Sequence, residues 1–483
     1  MPREPGRKEK SNHYFDDWII RVGMSVKNSV KGGQRDFTTG SPLKLILAFY
    51  WPLLLTSMLQ QVYNFVDTLI VGKGLGDNAL AAVGNMGSIF FLIVGFSFGL
   101  ANGFAVLVAQ SYGAKDIEQL RHRLAATIVL GAILAISLSV MSVVFLPALL
   151  NFMQTDPLII GDSLKYGYIL FGGLSIGICY NIAGSILRAF GDSQTPLRAI
   201  IVSSIVNLSL DSLLILVLKT GVEGAAIATL VAQVISVLIC INRLKEIPEI
   251  KMQREHFRNS IKVYLELLKN GLPMAFMNSI TAVGCMVVQG FVNSYGVVYT
   301  AAYAACGKYN NLFMNPAATA GSAMTSYTSQ NYGAGEYGRI KEGLKVCMGI
   351  SVVSYILLGS LMVFFPAQLG GFLLSGNDQI DLVCQYLPRC GVMIIAVDVL
   401  FVVRATVQGM GKPMLPMISG ILEMVLRTFT VSFFIGRIGF PATAYAEISA
   451  WVGALIVNVV ALYLALYPLL RTKRQYKLKR ALN

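Results

Sequence analysis

Long apolar stretches, separated by short polar or basic connections, recur along the chain from about residue 43 to residue 469. Each stretch is long enough for the roughly 20 residues that a helix needs to cross a lipid bilayer. The pattern predicts twelve membrane spans, numbered here in chain order: 43–72, 79–110, 122–148, 163–189, 195–218, 222–243, 263–294, 298–330, 342–367, 380–408, 413–437 and 441–469. Some spans are longer than a bilayer requires, which indicates tilted or kinked helices. The sequence therefore predicts an all-α integral membrane protein.

The composition supports the same class of protein. Of the 483 residues, 55% are hydrophobic and 13% are charged, whereas soluble domains carry about 25% charged residues. The net charge of +14 is typical of a membrane protein with basic loops on one side, so we expect the lipid bilayer, and no nucleic acid, as a partner. The seven cysteines are scattered without a CxxC pair, which predicts neither a disulfide framework nor a metal site.

The distribution of basic residues predicts the orientation in the membrane. With the N-terminus in the cytoplasm, 31 Lys and Arg residues lie in cytoplasmic segments and three, Lys73, Lys219 and Arg437, lie in outer connections. Under the positive-inside rule this split places both termini in the cytoplasm of a multi-pass protein of the cell membrane. A short surface helix is expected between Tyr14 and Val30 of the N-terminal arm.

The two halves of the chain repeat each other. Residues 110–114 (QSYGA), after span 2, return as residues 330–334 (QNYGA), after span 8, at an offset of 220. The same offset aligns further residues in pairs: Gly76 with Gly296, Tyr166 with Tyr386, Gly191 with Gly411, and Pro196 with Pro416. Because six spans separate the copies, both halves enter the membrane in the same direction and the repeat is parallel.

This repeat predicts two bundles of six helices each. The expected divisions are a basic cytoplasmic arm, a first bundle, a cytoplasmic linker, a second bundle and a basic cytoplasmic tail, at residues 1–42, 43–243, 244–262, 263–469 and 470–483. Internal repeats of this kind are typical of solute carriers, whose transport pathway lies at the interface between the repeats.

Ionisable residues inside a membrane span are costly and are therefore functional candidates. Asp67 lies five residues before the outer end of span 1, and Asp211 lies seven before the outer end of span 5. These positions correspond to depths of about 8 and 10 Å at 1.5 Å per residue. Thr229 lies at a comparable level in span 6, and Asn207 shares a helix face with Asp211, four residues away.

Two carboxylates, an amide and a hydroxyl are thus predicted to form one polar layer in the first half. Hard oxygen ligands of this kind suit Na⁺, but the same carboxylates are also able to hold a proton, because burial and like charge favour the neutral form. The alternative is that these acids only tie helices together through hydrogen bonds.

Several short motifs then occur in a fixed order. They are residues 61–72 (QVYNFVDTLIVG), 79–84 (ALAAVG), 109–114 (AQSYGA), 187–192 (LRAFGD), 207–211 (NLSLD) and 224–229 (GAAIAT). Over about residues 41–470, the chain resembles the MATE family of multidrug and toxic compound extrusion antiporters, most of all its bacterial DinF-like branch.

This resemblance implies a V-shaped pair of six-helix bundles that exports cationic or amphipathic drugs in exchange for Na⁺ or H⁺. It also implies a coupling-cation site, whose residues match Asp67, Asn207, Asp211 and Thr229 of this sequence. Tyr63 resembles a residue that lines this site. Asn181 in span 4 is a further candidate, with a plain contact between helices as the alternative.

The second half does not repeat the polar layer. At the 220 offset, positions 67, 207 and 211 correspond to Val287, Arg427 and Val431, and Glu447 takes the place of Thr229 after a two-residue slip. We therefore expect ion coupling in the first half alone. Glu423 and Arg427, one turn apart in span 11, are expected to pair and, with Glu447, to form a structural salt network.

Two further in-span charges are candidates for recognising the charge of a substrate. Asp398 lies near the middle of span 10, and Lys308 lies in span 8. Lys308 has three interpretations: it extends to the membrane surface, pairs with Asp398, or disfavours cations in the cavity.

The sequence thus predicts a secondary active exporter of drug-like small molecules that works by alternating access. We expect a monomer without a cofactor, and no enzyme, since no catalytic or nucleotide-binding motif is present. The alternatives are a lipid-linked oligosaccharide flippase of the same superfamily, an exporter of a metabolite, and a passive channel.

Overall fold

The computed structural model describes residues 30–31, 34–153 and 155–482. A surface helix was expected between Tyr14 and Val30. The part of it before Val30 lies outside the described residues, and Val30 itself belongs to a strand. This strand, β1 (Val30–Lys31), pairs antiparallel with β2 (Gln34–Arg35), with Val30 opposite Arg35.

All twelve predicted spans are helical. The first bundle consists of span 1 (Pro42–Leu75), span 2 (Asp77–Gly113), span 3 (Ile117–Phe152), span 4 (Pro157–Gly172 and Leu174–Ala189), span 5 (Gln194–Asp211 and Ser212–Val217) and span 6 (Val222–Lys245). Two short 3-10 turns, Pro248–Ile250 and Arg254–Phe257, lie in the connection to the second bundle.

The second bundle has the same order of helices. It consists of span 7 (Ile261–Asn293), span 8 (Val297–Gly333), span 9 (Tyr337–Ser354, Tyr355–Gly359 and Ser360–Phe364), span 10 (Asn377–Gly409), span 11 (Met414–Ile438) and span 12 (Pro441–Leu482). A short helix, Pro366–Leu373, precedes span 10. Span 4 bends by 44° between its two helices. The segments Ser212–Val217 and Tyr355–Gly359 are π-helical.

The glycines that recur at the 220 offset are turn residues. Gly76 and Gly296 connect the first two spans of each bundle and have φ angles of 85° and 95°. Gly191 and Gly411 follow spans 4 and 10, with φ angles of 76° and 73°. These positive φ values favour glycine because other residues have a Cβ atom that clashes there. The sequence repeat therefore reflects equal turns between equivalent helices.

Span 8 differs from the other spans in its composition. Among the described residues, ten helices, and the bent pair of span 4 as an eleventh, are long and apolar enough to cross a membrane. Span 8 is absent from that set although it extends over 37 residues. Its polar side chains recur at helical spacing, which indicates that one face of this helix avoids lipid.

The two bundles meet on one side of the membrane. We name the side on which span 1 begins the near side, and the opposite one the far side. On the near side, the inner halves of spans 1 and 8 share an apolar core that includes Phe49, Leu53, Ala323 and Tyr327. Leu100 of span 2 likewise packs with Ala275 of span 7.

The two copies of the repeated glycine motif cross at this near-side contact. A Cβ atom on Gly113 would overlap the carbonyl oxygen of Gln330, and one on Gly333 would overlap that of Gln110. The bundles come this close only because both positions lack a side chain. The symmetric crossing closes the near side.

A segment before span 1 ties this closure together. The Phe37 amide donates to Gln330 Oε1 at 2.9 Å, and the Phe37 carbonyl accepts from Asn331 Nδ2 at 3.1 Å and Arg339 Nη2 at 2.9 Å. Gln330 Nε2 also donates to the Ala189 carbonyl at 2.8 Å. Residues from span 4, span 8 and span 9 are thereby joined at one point.

Towards the far side, the bundles separate and the molecule has a V shape. Ser57 of span 1 donates to Asn315 Oδ1 of span 8 at 2.7 Å, and Asn278 of span 7 donates to the Gly95 carbonyl of span 2 at 3.1 Å. Further out, Gln61 and Lys308 are exposed. We name the space between the bundles on the far side of the Ser57–Asn315 contact the interlobe cleft.

Candidate functional site

The predicted polar layer of the first bundle is brought together in the structure. Span 5, which carries Asp211, packs against span 1 with Asp67 and against span 6 with Thr229. The carboxyl groups of Asp67 and Asp211 face each other within interaction distance. Asn207 lies one turn from Asp211, and both side chains are fully buried.

Most polar atoms of this cluster have no protein partner. Within the described residues, Asp67 Oδ1, both Asn207 side-chain atoms and both Asp211 carboxyl oxygens are buried without a hydrogen bond. A buried polar atom without a partner costs about 1–3 kcal/mol, and more when it is charged. Five such atoms in one place indicate a site built to hold a cation or a proton rather than a structural network.

Two tyrosines complete the surroundings of the carboxylates. Tyr63 lies one turn before Asp67, and its hydroxyl is close to Thr229 and to both carboxyl groups. Tyr166 of span 4 is buried within electrostatic reach of Asp67, Asp211 and Tyr63. Tyr166 was not among the residues predicted for this site. The sequence did show that Tyr166 corresponds to Tyr386 in the repeat, but this correspondence alone does not indicate contact with a charged group.

The backbone next to the cluster is irregular. Span 5 changes from an α-helix to a π-helix directly after Asp211. Single π-turns inside α-helices occur preferentially at functional sites, because the wider turn reorients the side chains beside it. The sequence from Asn207 to Val217 contains no proline or glycine that would have predicted this change.

The donor set fits a hard cation or a proton. Two carboxylates, one amide and one hydroxyl are oxygen donors of the type that alkali cations prefer. Within the described residues, no group of three or more His, Cys, Asp or Glu side chains is able to hold a metal ion. Because its donors are oxygen atoms and two of its groups are carboxylates, the cluster is compatible with both Na⁺ and H⁺.

Asn181 of span 4 makes a hydrogen bond to a neighbouring helix. Its Nδ2 atom donates to the Ser97 hydroxyl of span 2 at 3.3 Å. That bond connects span 4 with span 2, and the role of Asn181 at the cation site stays a prediction.

The equivalent region of the second bundle contains an ion pair. Arg427 Nη2 donates to Glu447 Oε2 at 2.9 Å, and both side chains are buried. Tyr303 donates to the other oxygen of Glu447 at 3.4 Å. The position that corresponds to Asn207 thus carries a guanidinium that is fixed in an ion pair.

The predicted pairing of Glu423 with Arg427 along span 11 is wrong in detail. Glu423 instead accepts from Arg404 of span 10. The reason is that both side chains point towards neighbouring helices rather than along their own helix. Glu423, Arg427 and Glu447 are still parts of buried salt bridges, and Arg404 joins them.

Asp398 and Lys308 lie in different surroundings. Asp398 is buried, and neither of its carboxyl oxygens has a hydrogen-bond partner among the described residues. It lies near Tyr50 of span 1. Lys308 is exposed, and the two residues do not form the salt bridge that was one interpretation of Lys308.

Comparison with known proteins agrees with this architecture. The MatE family model matches residues 52–213 and 273–433, one segment in each bundle. The chain is 28% identical over 431 residues to the Probable multidrug resistance protein YoeA of Bacillus subtilis, covering 86% of this chain and 91% of that protein. It is 22% identical over 396 residues to a FAD transporter of Shewanella oneidensis, covering 79% and 86% of the two chains.

A solved structure has the same fold. It is described as the outward-facing conformation of a multidrug resistance MATE family transporter of the MOP superfamily, and it aligns with a TM-score of 0.84 and 22% identity over 92% of this chain and 99% of that chain. The two matched segments, the parallel repeat and the two-bundle fold together establish that this multi-pass membrane protein belongs to the MATE family of transporters.

Proposed function

We propose that this protein is a secondary active exporter that moves amphipathic small molecules out of the cell in exchange for Na⁺ or H⁺. The observation that carries this proposal is the cluster of five buried polar atoms of Asp67, Asn207 and Asp211 that have no protein partner. Such a cluster costs stability unless an ion or a proton binds there. Membership of a transporter family and the lack of a catalytic motif support transport rather than catalysis.

The two bundles are the moving units of the proposed mechanism. We assign residues 43–243 and 263–469 to these units, with residues 244–262 as the linker, and we place the near side and both termini in the cytoplasm of the cell membrane. The closed near side and the open cleft then correspond to a state that faces outwards. The mechanism requires only one copy of the chain, because both bundles belong to it.

Ion binding is proposed to control which side is open. Without an added positive charge, the Asp67 and Asp211 carboxylates repel each other across the contact between spans 1 and 5. A bound cation or proton removes this repulsion and allows the two helices to approach. An ion shifts the balance between two states only by its different affinity for them, so the carboxylate spacing must change as the bundles move.

The nature of the cargo is narrowed only partly by the relatives. Their names refer to multidrug resistance in one case and to FAD in another, so export of a metabolite is the second candidate function. The cationic cargo implied by the family resemblance stays a prediction. The exposed Lys308 in the interlobe cleft favours an acidic cargo instead.

The proposal is tested by flux measurements in liposomes. Purified protein is reconstituted with a fluorescent amphipathic dye inside, and dye release is followed under an imposed Na⁺ gradient and then under a pH gradient. We expect one of the two gradients to accelerate dye release by the native protein. The same gradient should not accelerate release by Asp67→Asn. Asp162→Asn, which neutralises an acid of span 4 outside the cluster, is the matched control and keeps the effect.

Two results would contradict this proposal. One is release that neither gradient changes, which is the behaviour of a passive channel or a flippase. The other is an Asp67→Asn variant that inserts normally and responds to the gradient as the native protein does.

A further inference from the structure

One face of span 8 is polar along most of its length. The side chains of Lys308, Asn311, Asn315, Thr319 and Ser322 recur at spacings of three and four residues, which places them on the same side of the helix. A lipid-facing surface of this composition would be costly. The face therefore borders protein or water rather than hydrocarbon.

The contacts of this face show which way it points. Asn315 accepts a hydrogen bond from Ser57 of span 1 at 2.7 Å, so the polar face of span 8 is directed at the first bundle. Lys308 lies two turns from Asn315 towards the far side and, at 100° per residue, about 20° from it around the helix. Lys308 and Asn311 are both exposed, which places them above the Ser57–Asn315 contact, in the interlobe cleft.

A matching polar face lies opposite, on span 1. Gln61, Asn64 and Thr68 follow Ser57 at helical spacing, and all three are exposed. The two polar faces meet at the Ser57–Asn315 bond and diverge towards the far side. They form the two walls of a cleft that offers amides and hydroxyls to a bound molecule.

The charge of this cleft is positive. Spans 1, 2, 7 and 8 form the main contacts between the bundles, and spans 2 and 7 contain no charged residue over residues 78–113 and 270–293. Within the membrane, the charged residues of these four spans are Asp67, whose carboxyl group is turned towards Asp211, and Lys308. Asp398, Glu423 and Glu447 of the second bundle are buried, and the last two are paired with Arg404 and Arg427.

Lys308 also differs from the other cations of the second bundle. Arg404 and Arg427 are held by Glu423 and Glu447. Within the described part of the chain, Lys308 has neither an ion pair nor a hydrogen bond, and its ammonium group is therefore available to a ligand. In a cleft with low-dielectric walls, one such charge has a strong effect on which ions enter.

We propose that Lys308 is the charge-recognition residue of the interlobe cleft, and that the cargo is an amphipathic molecule with an acidic group such as a carboxylate or a phosphate. The ammonium group binds the acidic group, while the amides of Gln61, Asn64 and Asn311 accept or donate hydrogen bonds to the rest of the molecule. This proposal rests on the proposed function, because it names the class of molecule that the same pathway carries.

The proposal is tested first by the charge of the cleft itself. In a variant whose native cysteines are replaced, Asn311→Cys provides a thiol one turn from Lys308. We expect this thiol to react in liposomes with water-soluble methanethiosulfonate reagents. The reaction rate of the anionic ethylsulfonate reagent, relative to that of the cationic trimethylammonium reagent, should be about fivefold higher when Lys308 is present than when it is absent. Lys308→Met removes this preference, and Lys308→Arg keeps it. A thiol that neither reagent reaches, or a preference that Lys308→Met leaves unchanged, overturns the proposal.

The second test compares two ligands that differ by one phosphate. FMN and riboflavin share a fluorescent ring system, so their dissociation constants for the purified protein are measured by the same fluorescence titration. We expect the native protein to bind FMN about tenfold more tightly, the size of effect of one charge contact in a partly desolvated site. Lys308→Met is expected to bind both alike. Lys165→Met is the matched control, because Lys165 is an exposed lysine of span 4, and it keeps the preference.

The outcomes distinguish this proposal from the proposed function. Equal binding of the two flavins by the native protein, or an undiminished FMN preference in Lys308→Met, overturns the charge-recognition role even if the protein transports dyes. An FMN preference that depends on Lys308, together with no movement of any flavin or dye across liposomes, supports the role of Lys308 and counts against export.

Discussion

The two bundles differ in how their buried charged side chains are paired. The first bundle keeps two carboxylates close together with their oxygens unpaired, whereas the second bundle pairs Glu447 with a built-in cation, Arg427. At the repeat position of Asn207, the second bundle thus carries the permanent charge of Arg427. This difference explains why we assign ion coupling to one bundle alone.

At the residue scale, Tyr166 provides a test of the cluster that sequence analysis did not suggest. We expect Tyr166→Phe to raise the ion concentration needed for half-maximal dye release by about three- to tenfold, because a typical hydrogen bond contributes about 0.5–1.5 kcal/mol. Tyr168→Phe changes an exposed tyrosine of the same helix and should have no effect. The measurement is gradient-driven release against ion concentration, and equal curves for native protein and Tyr166→Phe would remove this residue from the site.

The buried ion pair of the second bundle is expected to affect stability. Arg427→Gln leaves Glu447 buried without its partner, which costs about 3–5 kcal/mol. Arg437→Gln, on the exposed end of the same helix, should cost less than about 1 kcal/mol. Unfolding of both variants in detergent micelles provides the comparison. A stability of Arg427→Gln equal to that of Arg437→Gln would mean that Arg427 is not a structural cation.

At this scale, the sequence suggests the role of a residue when the chemistry of its own side chain decides that role. It does not when side chains of neighbouring helices decide it. Asp67, Asn207, Asp211 and Thr229 became candidates because polar groups in apolar spans are costly, and their role in ion coupling stays a prediction. Tyr166 was not recognisable, since an aromatic residue in a membrane helix is common. The partner of Glu423 was predicted wrongly because spacing along one helix says nothing about the side chains of its neighbours.

At the scale of elements, the near-side crossing of spans 2 and 8 is the most sharply defined contact. The glycines at 113 and 333 allow two backbones to touch, and the segment before span 1 covers them. The order of the spans followed from the apolar pattern, and so did most of their ends, but span 4 begins six residues earlier than predicted, at Pro157, and span 12 continues through the basic tail to Leu482. The bend in span 4 and the π-turn after Asp211 did not follow, because both depend on packing against other helices.

The crossing leads to a prediction about conformation. A Cβ atom on Gly333 would overlap the Gln110 carbonyl, so we expect Gly333→Ala to disfavour the closed near side. Spin labels at Lys115 and Lys341, on near-side segments of the two bundles, should then report a longer mean distance. Gly307→Ala is the matched control in the same span, because a Cβ atom there meets nothing within 4 Å. An unchanged distance in Gly333→Ala would show that this crossing does not limit closure.

For the molecule as a whole, the cleft and the ion cluster lie on the two sides of span 1. Asp67 faces the interior of the first bundle, while Gln61 and Asn64 of the same helix face the cleft. We therefore propose that ion binding changes the position of span 1 and so affects a molecule in the cleft without direct contact between ion and cargo. In this proposal a single helix couples the two sites, and linkage requires that each ligand affects the binding of the other.

This reciprocity provides the most direct test of ion exchange through the first bundle. Protein in liposomes is given a gradient of cargo alone, with FMN or a dye as cargo, and the movement of Na⁺ and of H⁺ is recorded together with that of the cargo. We predict that cargo leaving the liposomes drives one of these ions in the opposite direction in a fixed ratio, and that Asp211→Asn abolishes the ion movement. Cargo flux without any ion movement in the native protein, or an unchanged ratio in Asp211→Asn, would contradict it.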